Sequence, residues 1–179
     1  MTTYVAMLRG INVSGRNTLP METLRALMGS VGARDVRTYI QSGNVVFSSR
    51  RSASSLVAAL EGELEGALGS SIPVLIRTKD ELDAVVDANP YVHRGEDVGL
   101  LHVTFLGAGP DDGAVEAARA TRSDADEFAV IGREIYLFCP DGYGRTKFTP
   151  AFFERKFGSQ ATARNWKTVT KLDEMAAGF

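Results

Sequence analysis

The sequence predicts an α+β protein made of two ferredoxin-like (split βαβ) subdomains packed into one compact unit, residues 1–78 and 79–179. Three observations carry this. The first 78 residues alternate strand-like and helix-like periodicity in the order β-α-β-β-α-β, the order of a split βαβ unit. A similar run of elements follows in the second half. The strand, glycine turn and strand of "TYIQSGNVVF" also recur as "EFAVIGREIYLF" roughly ninety residues later, a likeness of element order and not of identity.

Tyr4–Leu8 reads as a buried strand. Pro20–Val31 reads as a helix with Leu24, Leu27, Met28 and Val31 at helical spacing, ended by Gly32. Val36–Gln41 and Val45–Ser48 flank "SGN", a hairpin signal because Gly43 and Asn44 tolerate positive φ. Ser52–Leu68 carries an apolar stripe of Leu56, Ala59, Leu60, Leu64 and Leu68, with Ser54 or Ser55 as the expected cap, and Pro73–Arg77 closes the first unit as a strand. In the second half, Asp80–Ala88 reads as a helix stopped at "NPY". Leu100–Leu106 is a strand, Asp111–Ala120 a helix, and Phe128–Ile131 with Glu134–Phe138 a hairpin around Gly132 and Arg133. A helix begins at Phe152–Phe157, and a last amphipathic helix starts from Thr162 as N-cap, with Trp166, Val169 and Leu172 turned to the core. On that helix Arg164, Lys167 and Lys171 are expected to share a face, with Arg164 and Asn165 in the first turn, where free N–H groups favour negative charge.

Composition narrows the function classes. The chain has 179 residues, 44% hydrophobic and 23% charged, ample for a core. No basic-then-apolar leader and no run of about 18 uncharged apolar residues is present, so a cytoplasmic location is expected, with no membrane partner. One cysteine, Cys139, and two histidines, His93 and His102, are too few for a zinc site of the usual kind, so no metal and no cofactor are expected. Asp124, Asp126 and Glu127 read as a solvated acidic turn rather than a cation site, and His102 as a packed or surface histidine rather than a base. Charge is uneven. Residues 1–51 carry seven Arg against Glu22 and Asp35, net +5; residues 52–144 are net −11; residues 145–171 are net +6. If the basic ends meet in the fold, they form a positive surface that attracts anions.

The segment "LRGINVSGRNTLP" raises the question of a phosphate loop. Gly10 and Gly15 have the spacing of the glycines in G-x-x-x-x-G-K-[ST], but Arg16 and Asn17 stand where Lys and Ser or Thr are needed, and the helix waits for Pro20. A nucleotide triphosphatase is therefore excluded. Two readings stay open: an anion-holding loop with Arg9, Arg16, Asn12 and glycine-freed N–H groups, or an ordinary polar turn.

Taken together, "LRGINVSG", "TYIQSGNVVF" and "TARNWKTVTKL", with "NPY" at Asn89–Tyr91, resemble a bacterial family known as domain of unknown function 1697. The likeness runs nearly end to end. Its usual R-G-I-N-V-G-G carries Ser14 here in place of a glycine. The resemblance implies an α+β fold of two related subdomains and brings no reaction with it. It groups the polar residues Arg9, Asn12, Gln41, Ser42, Asn44, Arg164, Asn165 and Trp166, to which Gly15 of the loop is added as a candidate. The expectation is that the Arg9–Gly15 loop, the Ser42–Asn44 turn and the start of the last helix gather in a cleft between the subdomains. There Arg9 and Arg164 would hold a small phosphate- or carboxylate-bearing ligand, Asn12, Asn44 and Asn165 would fix polar edges, and Trp166 would form a wall. The alternative is a nucleic-acid (single-stranded RNA) module, for which only Tyr39 and Phe47 offer stacking surfaces. A third reading is a protein adaptor using the "FFERKF" segment, Phe152–Phe157.

Overall fold

The computed structural model describes all 179 residues except Asp124, and the acidic turn is thus described only at Asp126 and Glu127. The chain forms two compact units, Met1–Ala84 with Lys171–Phe179, and Val85–Thr170.

In the first unit β1 (Thr2–Leu8), α1 (Met21–Ser30), β2 (Arg34–Tyr39), β3 (Asn44–Ser49), α2 (Ala53–Leu68) and β4 (Val74–Thr78) follow one another. The strands make an antiparallel sheet in the order β2-β3-β1-β4. That order is what a split βαβ unit requires, since β1 and β2 leave a gap that the hairpin partner β3 fills. Leu24, Met28 and Val31 of the first helical stripe and Leu56, Leu60 and Leu64 of the second are buried against Tyr4, Ala6, Leu8, Val45 and Phe47. The apolar spacing read in the sequence is therefore the packing surface, each such side chain being worth about 1.5–3 kcal/mol on full burial. α2 is capped by Ser52, which accepts from the Ser55 N–H, rather than by Ser54 or Ser55; it ends at Gly69, in the left-handed conformation.

The second unit repeats the plan. After α3 (Lys79–Asp87) and α4 (Pro90–Arg94) come β5 (Leu101–Leu106), α5 (Asp112–Arg119), β6 (Glu127–Ile131), β7 (Glu134–Phe138), α6 (Pro150–Phe157) and β8 (Ala161–Asn165), with α7 (Trp166–Ala177) completing the chain. Its antiparallel sheet has the corresponding order β6-β7-β5-β8. "NPY" ends one helix and starts another: Asn89 Oδ1 accepts from the Tyr91 N–H at 3.0 Å and Pro90 takes the first position of α4, where a missing N–H costs nothing. Phe148, Phe152 and Phe153 pack edge-on and stacked in the core beside Leu106, Ile135 and Leu137.

Two sequence expectations are corrected. The segment from Thr162 is not the start of a helix: residues 161–165 are the edge strand β8, paired with β5, and α7 begins at Trp166. Arg164 thus lies on a strand, so the basic helical face formed with Lys167 and Lys171 does not exist. Pairing with β5 gives alternate residues of this segment backbone partners that an isolated cap cannot, which is why the sheet wins. The hairpin turn also differs. Positive φ falls at Ile40 (48°) and Gly43 (81°), while Asn44 is already in β3.

Candidate functional site

The candidate residues fall into two clusters, one in each unit. In the first unit the β1–α1 loop, the β2–β3 turn and the α2–β4 connection converge at one end of the sheet. Leu8 N–H donates to Gly43 O at 2.8 Å and Arg9 N–H to Pro73 O at 3.0 Å. A Cβ at Gly43 would stand 2.7 Å from Leu8 Cβ and 2.8 Å from Ile11 Cδ1, so glycine is required here both by φ and by space. This end holds Arg9, Asn12, Gly15, Gln41, Ser42 and Asn44 together.

The loop itself is held open by carboxamides. Asn12 Nδ2 donates to Leu19 O at 2.9 Å and Gln41 O at 2.7 Å, and Asn12 Oδ1 accepts from Leu19 N–H at 2.8 Å. Asn17 Nδ2 donates to Gly10 O, and Asn17 Oδ1 accepts from Ser70 Oγ, both at 3.0 Å. Five residues of the eight from Gly10 to Asn17 have positive φ: Gly10, Asn12, Ser14, Gly15 and Asn17. Ser14 and Gly15 at 50° and 73°, with Arg16 N–H donating to Val13 O at 2.9 Å, make a type I′ turn at the tip. Asparagine and glycine tolerate that region; serine does so at a cost, which accounts physically for a glycine at the Ser14 position in the R-G-I-N-V-G-G pattern.

The side chains then divide by exposure. Asn44 is fully buried, its Nδ2 donating to Tyr39 O and Ser42 Oγ, and thus closes the hairpin. Arg9 is half-buried at the base of the loop, whereas Gly15, Arg16 and Gln41 are exposed. Arg16 makes no ion pair among the described residues. Sequence reasoning missed Asn17 as the second lock. Its signal was an asparagine in a glycine-rich loop, where positive φ and a bonding carboxamide serve together.

In the second unit Arg164, Asn165 and Trp166 sit where β8 passes into α7. Arg164 is buried; its Nη1 donates to Thr162 Oγ1 and Ala163 O, both at 2.7 Å, and burial lowers its pKa to about 10. Asn165 Oδ1 accepts from the Thr168 N–H at 2.8 Å and so caps α7, and Trp166 is a core residue, 6% exposed. Next to Asn165 in register, His102 stacks on Tyr143 at 4.0 Å between centroids. Burial lowers the His102 pKa to about 4, leaving a neutral imidazole whose buried Nδ1 has no partner among the described residues. It is packed, as expected. Cys139 is buried and its thiol is pushed up to about 11, mainly by loss of solvation, which makes it a poor nucleophile.

A separate cavity of about 560 Å³ in this unit is lined by Arg119, Arg122, Asp126, Glu127, Phe128 and Phe148 among others, none of them a predicted site residue. Its carboxylates are engaged: Asp126 accepts from Ser123 Oγ, and Glu127 pairs with Arg94 at 2.9 Å. No group of three or more metal-ligating side chains gathers among the described residues. Among them, too, no helix is long and apolar enough to cross a membrane.

Comparison with known proteins agrees with the fold. A solved structure described as conserved bacterial protein SP0830 from Streptococcus pneumoniae matches over 98% of both chains, with 26% identity and a TM-score of 0.78. No curated protein matches the chain. The profile of the family "Protein of unknown function (DUF1697)" matches residues 1–136, which take in the first sheet, the Gly10–Asn17 loop and the hairpin turn of the first unit, and this chain belongs to that family.

Proposed function

We propose that the protein binds a small phosphate- or carboxylate-bearing ligand at the loop end of its first unit. The observation that carries the reading is the construction of the Gly10–Asn17 loop. Three non-glycine residues, Asn12, Ser14 and Asn17, hold positive φ, at a cost of about 1 kcal/mol for the serine, and the carboxamides of the two asparagines brace the loop from within and against Ser70. What this shape presents outward is an exposed Arg16 and the amides of Ser14 and Gly15, which take no part in the loop's backbone bonds. N–H groups in successive left-handed residues beside a guanidinium are suited to an oxyanion. Arg9 and Gln41 flank the tip, while Asn12, Ser42 and Asn44 shape it. The same reading takes the protein as cytoplasmic and both units as ferredoxin-like.

The RNA alternative has less support. Phe47 is fully buried and stacked on Tyr4 at 5.7 Å, so it offers no platform to a base. The adaptor reading loses its contact residues in the same way, since Phe152 and Phe153 are spent on the core of the second unit.

Calorimetric titration with pyrophosphate and with citrate tests the proposal. The native protein is expected to bind at least one, and Arg16→Ala to weaken binding about tenfold while leaving Tm unchanged, as loss of one charge-assisted contact implies. Unaltered affinity in Arg16→Ala, or binding of an oligonucleotide alone with a steep salt dependence, contradicts it.

A further inference from the structure

We infer a second anion site in the first unit, a pocket for a single phosphoryl group walled by Arg34, Arg50 and Arg51. This goes beyond the loop site and shares no residue with it. Arg34 opens β2, Arg50 and Arg51 follow β3, and the antiparallel pairing of Arg34 with Ser48 brings these ends of the sheet together. A cavity of about 120 Å³ lies there, lined by Met1, Gly32, Arg34, Ser49, Arg50 and Arg51. Three arginine residues border one small space, and no carboxylate is among the residues that line it.

The charges are not neutralised elsewhere. None of the three arginines makes an ion pair among the described residues. Arg51 is fixed in place by neutral acceptors only: its Nη1 donates to Val31 O at 2.9 Å, its Nε to Ser55 Oγ at 3.1 Å, and its Nη2 to Ser55 Oγ at 2.7 Å and Ser55 O at 3.2 Å. It thus has a preset orientation without a carboxylate partner. Arg34 and Arg50 are exposed residues whose guanidinium groups donate to no group among the described residues, so their donors are available. The α2 N-terminus, capped by Ser52, begins two residues after Arg51 and adds a positive end to the same region.

Like charges gathered without counter-charge repel one another, and an oxyanion relieves that repulsion as it binds. A tetrahedral phosphoryl group fits the geometry best: it accepts from several planar guanidinium forks at once, and its double charge answers a cluster of three. A flat monocarboxylate offers neither. The ligand is therefore inorganic phosphate or a small phosphomonoester.

The test uses the full chain, with inorganic phosphate and glycerol 2-phosphate titrated against chloride at matched ionic strength, read by calorimetry and by Tm. Either ligand is expected to bind and to raise Tm. Arg34→Gln and Arg50→Gln are each expected to weaken binding about tenfold or more. In the absence of phosphate at low salt these variants should melt at or above the native Tm, because one repelling charge has gone; a purely structural arginine would lower it. Tighter binding of the free ion or of the monoester identifies which is the natural form. Arg16→Ala keeps this site intact, so loss of the loop site and loss of this one are read separately. Native affinity in both glutamine variants, a lowered Tm without phosphate, or response to an oligonucleotide alone overturns the inference.

Discussion

The two units share a frame and differ in their connections, most tellingly in the one after the first strand. In each, the last residue of the first strand donates its N–H to the hairpin turn, Leu8 to Gly43 O and Leu106 to Arg133 O, at 2.8 and 2.9 Å. In each, the next N–H donates to the connection before the last strand, Arg9 to Pro73 O and Gly107 to Gln160 O. A buried arginine even occupies the same register in both closing strands: Arg77 opposite Val5 and Arg164 opposite Val103, each donating Nη1 to the carbonyl of the residue before it. Yet residues 9–20 separate β1 from α1 where only residues 107–111 separate β5 from α5. The short connection shows that the frame needs no long loop. The long one, strained and braced by Asn12 and Asn17, is an addition that the fold does not require, and it is where a ligand is expected.

That contrast can be broken or sharpened by substitution. The largest effect is expected at Gly43, where alanine meets both a left-handed φ and backbone-close neighbours; Gly43→Ala should cost about 2–4 kcal/mol in urea denaturation. Gly132→Ala, in the corresponding turn of the second unit, meets nothing nearer than a Glu134 carboxylate oxygen at 3.8 Å and should cost only about 1 kcal/mol. Equal costs would mean that the two turns are equally packed. Asn12→Ala removes three hydrogen bonds and should cost about 1–3 kcal/mol, with loss of hydrogen-exchange protection at the Leu19 amide. Retained protection would show that the loop holds without its brace.

The second unit should respond to acid through His102. Its folded pKa, about 4, lies below the ordinary value of 6.5, so below pH 6.5 the unfolded chain takes up a proton that the folded one refuses. Stability therefore falls as pH drops from 6.5 toward 4, by on the order of 1 kcal/mol once solvent screening of a partly exposed ring is allowed for. His102→Gln should flatten that slope; an unchanged profile assigns it to other groups. The smallest effect is at the loop tip. Ser14→Gly relieves a left-handed serine and should stabilise by about 0.5–1 kcal/mol, and a loss of stability would mean that the hydroxyl is used.

Much of the frame was legible because apolar spacing is a direct consequence of packing. Leu24 and Met28, then Leu56, Leu60 and Leu64, announced two helices lying on a sheet, and Gly43 announced a turn. β8 was hidden. "ATARN" has no alternation of large apolar residues, because an edge strand with a buried arginine and threonine satisfies its polar groups through contacts distant in sequence. The charged cluster of Arg34, Arg50 and Arg51 was hidden for a related reason: hairpin register joins positions that no local pattern connects. Of the candidate site, the sequence grouped Arg9, Asn12 and the Gln41–Asn44 turn, which lie at one end of the first sheet. It did not separate ligand-facing side chains from braces, since a carboxamide spent on its own backbone and one free for a ligand are spelled alike.

An amide-resolved NMR titration of the full chain with inorganic phosphate, referenced to chloride at matched ionic strength, tests the loop contrast most directly. Saturable shifts at Ser14, Gly15 and Arg16, with Gly107, Ala108 and Gly109 unmoved, are the predicted result. Unmoved amides at the tip of the long loop, or equal shifts in both loops, would contradict the account.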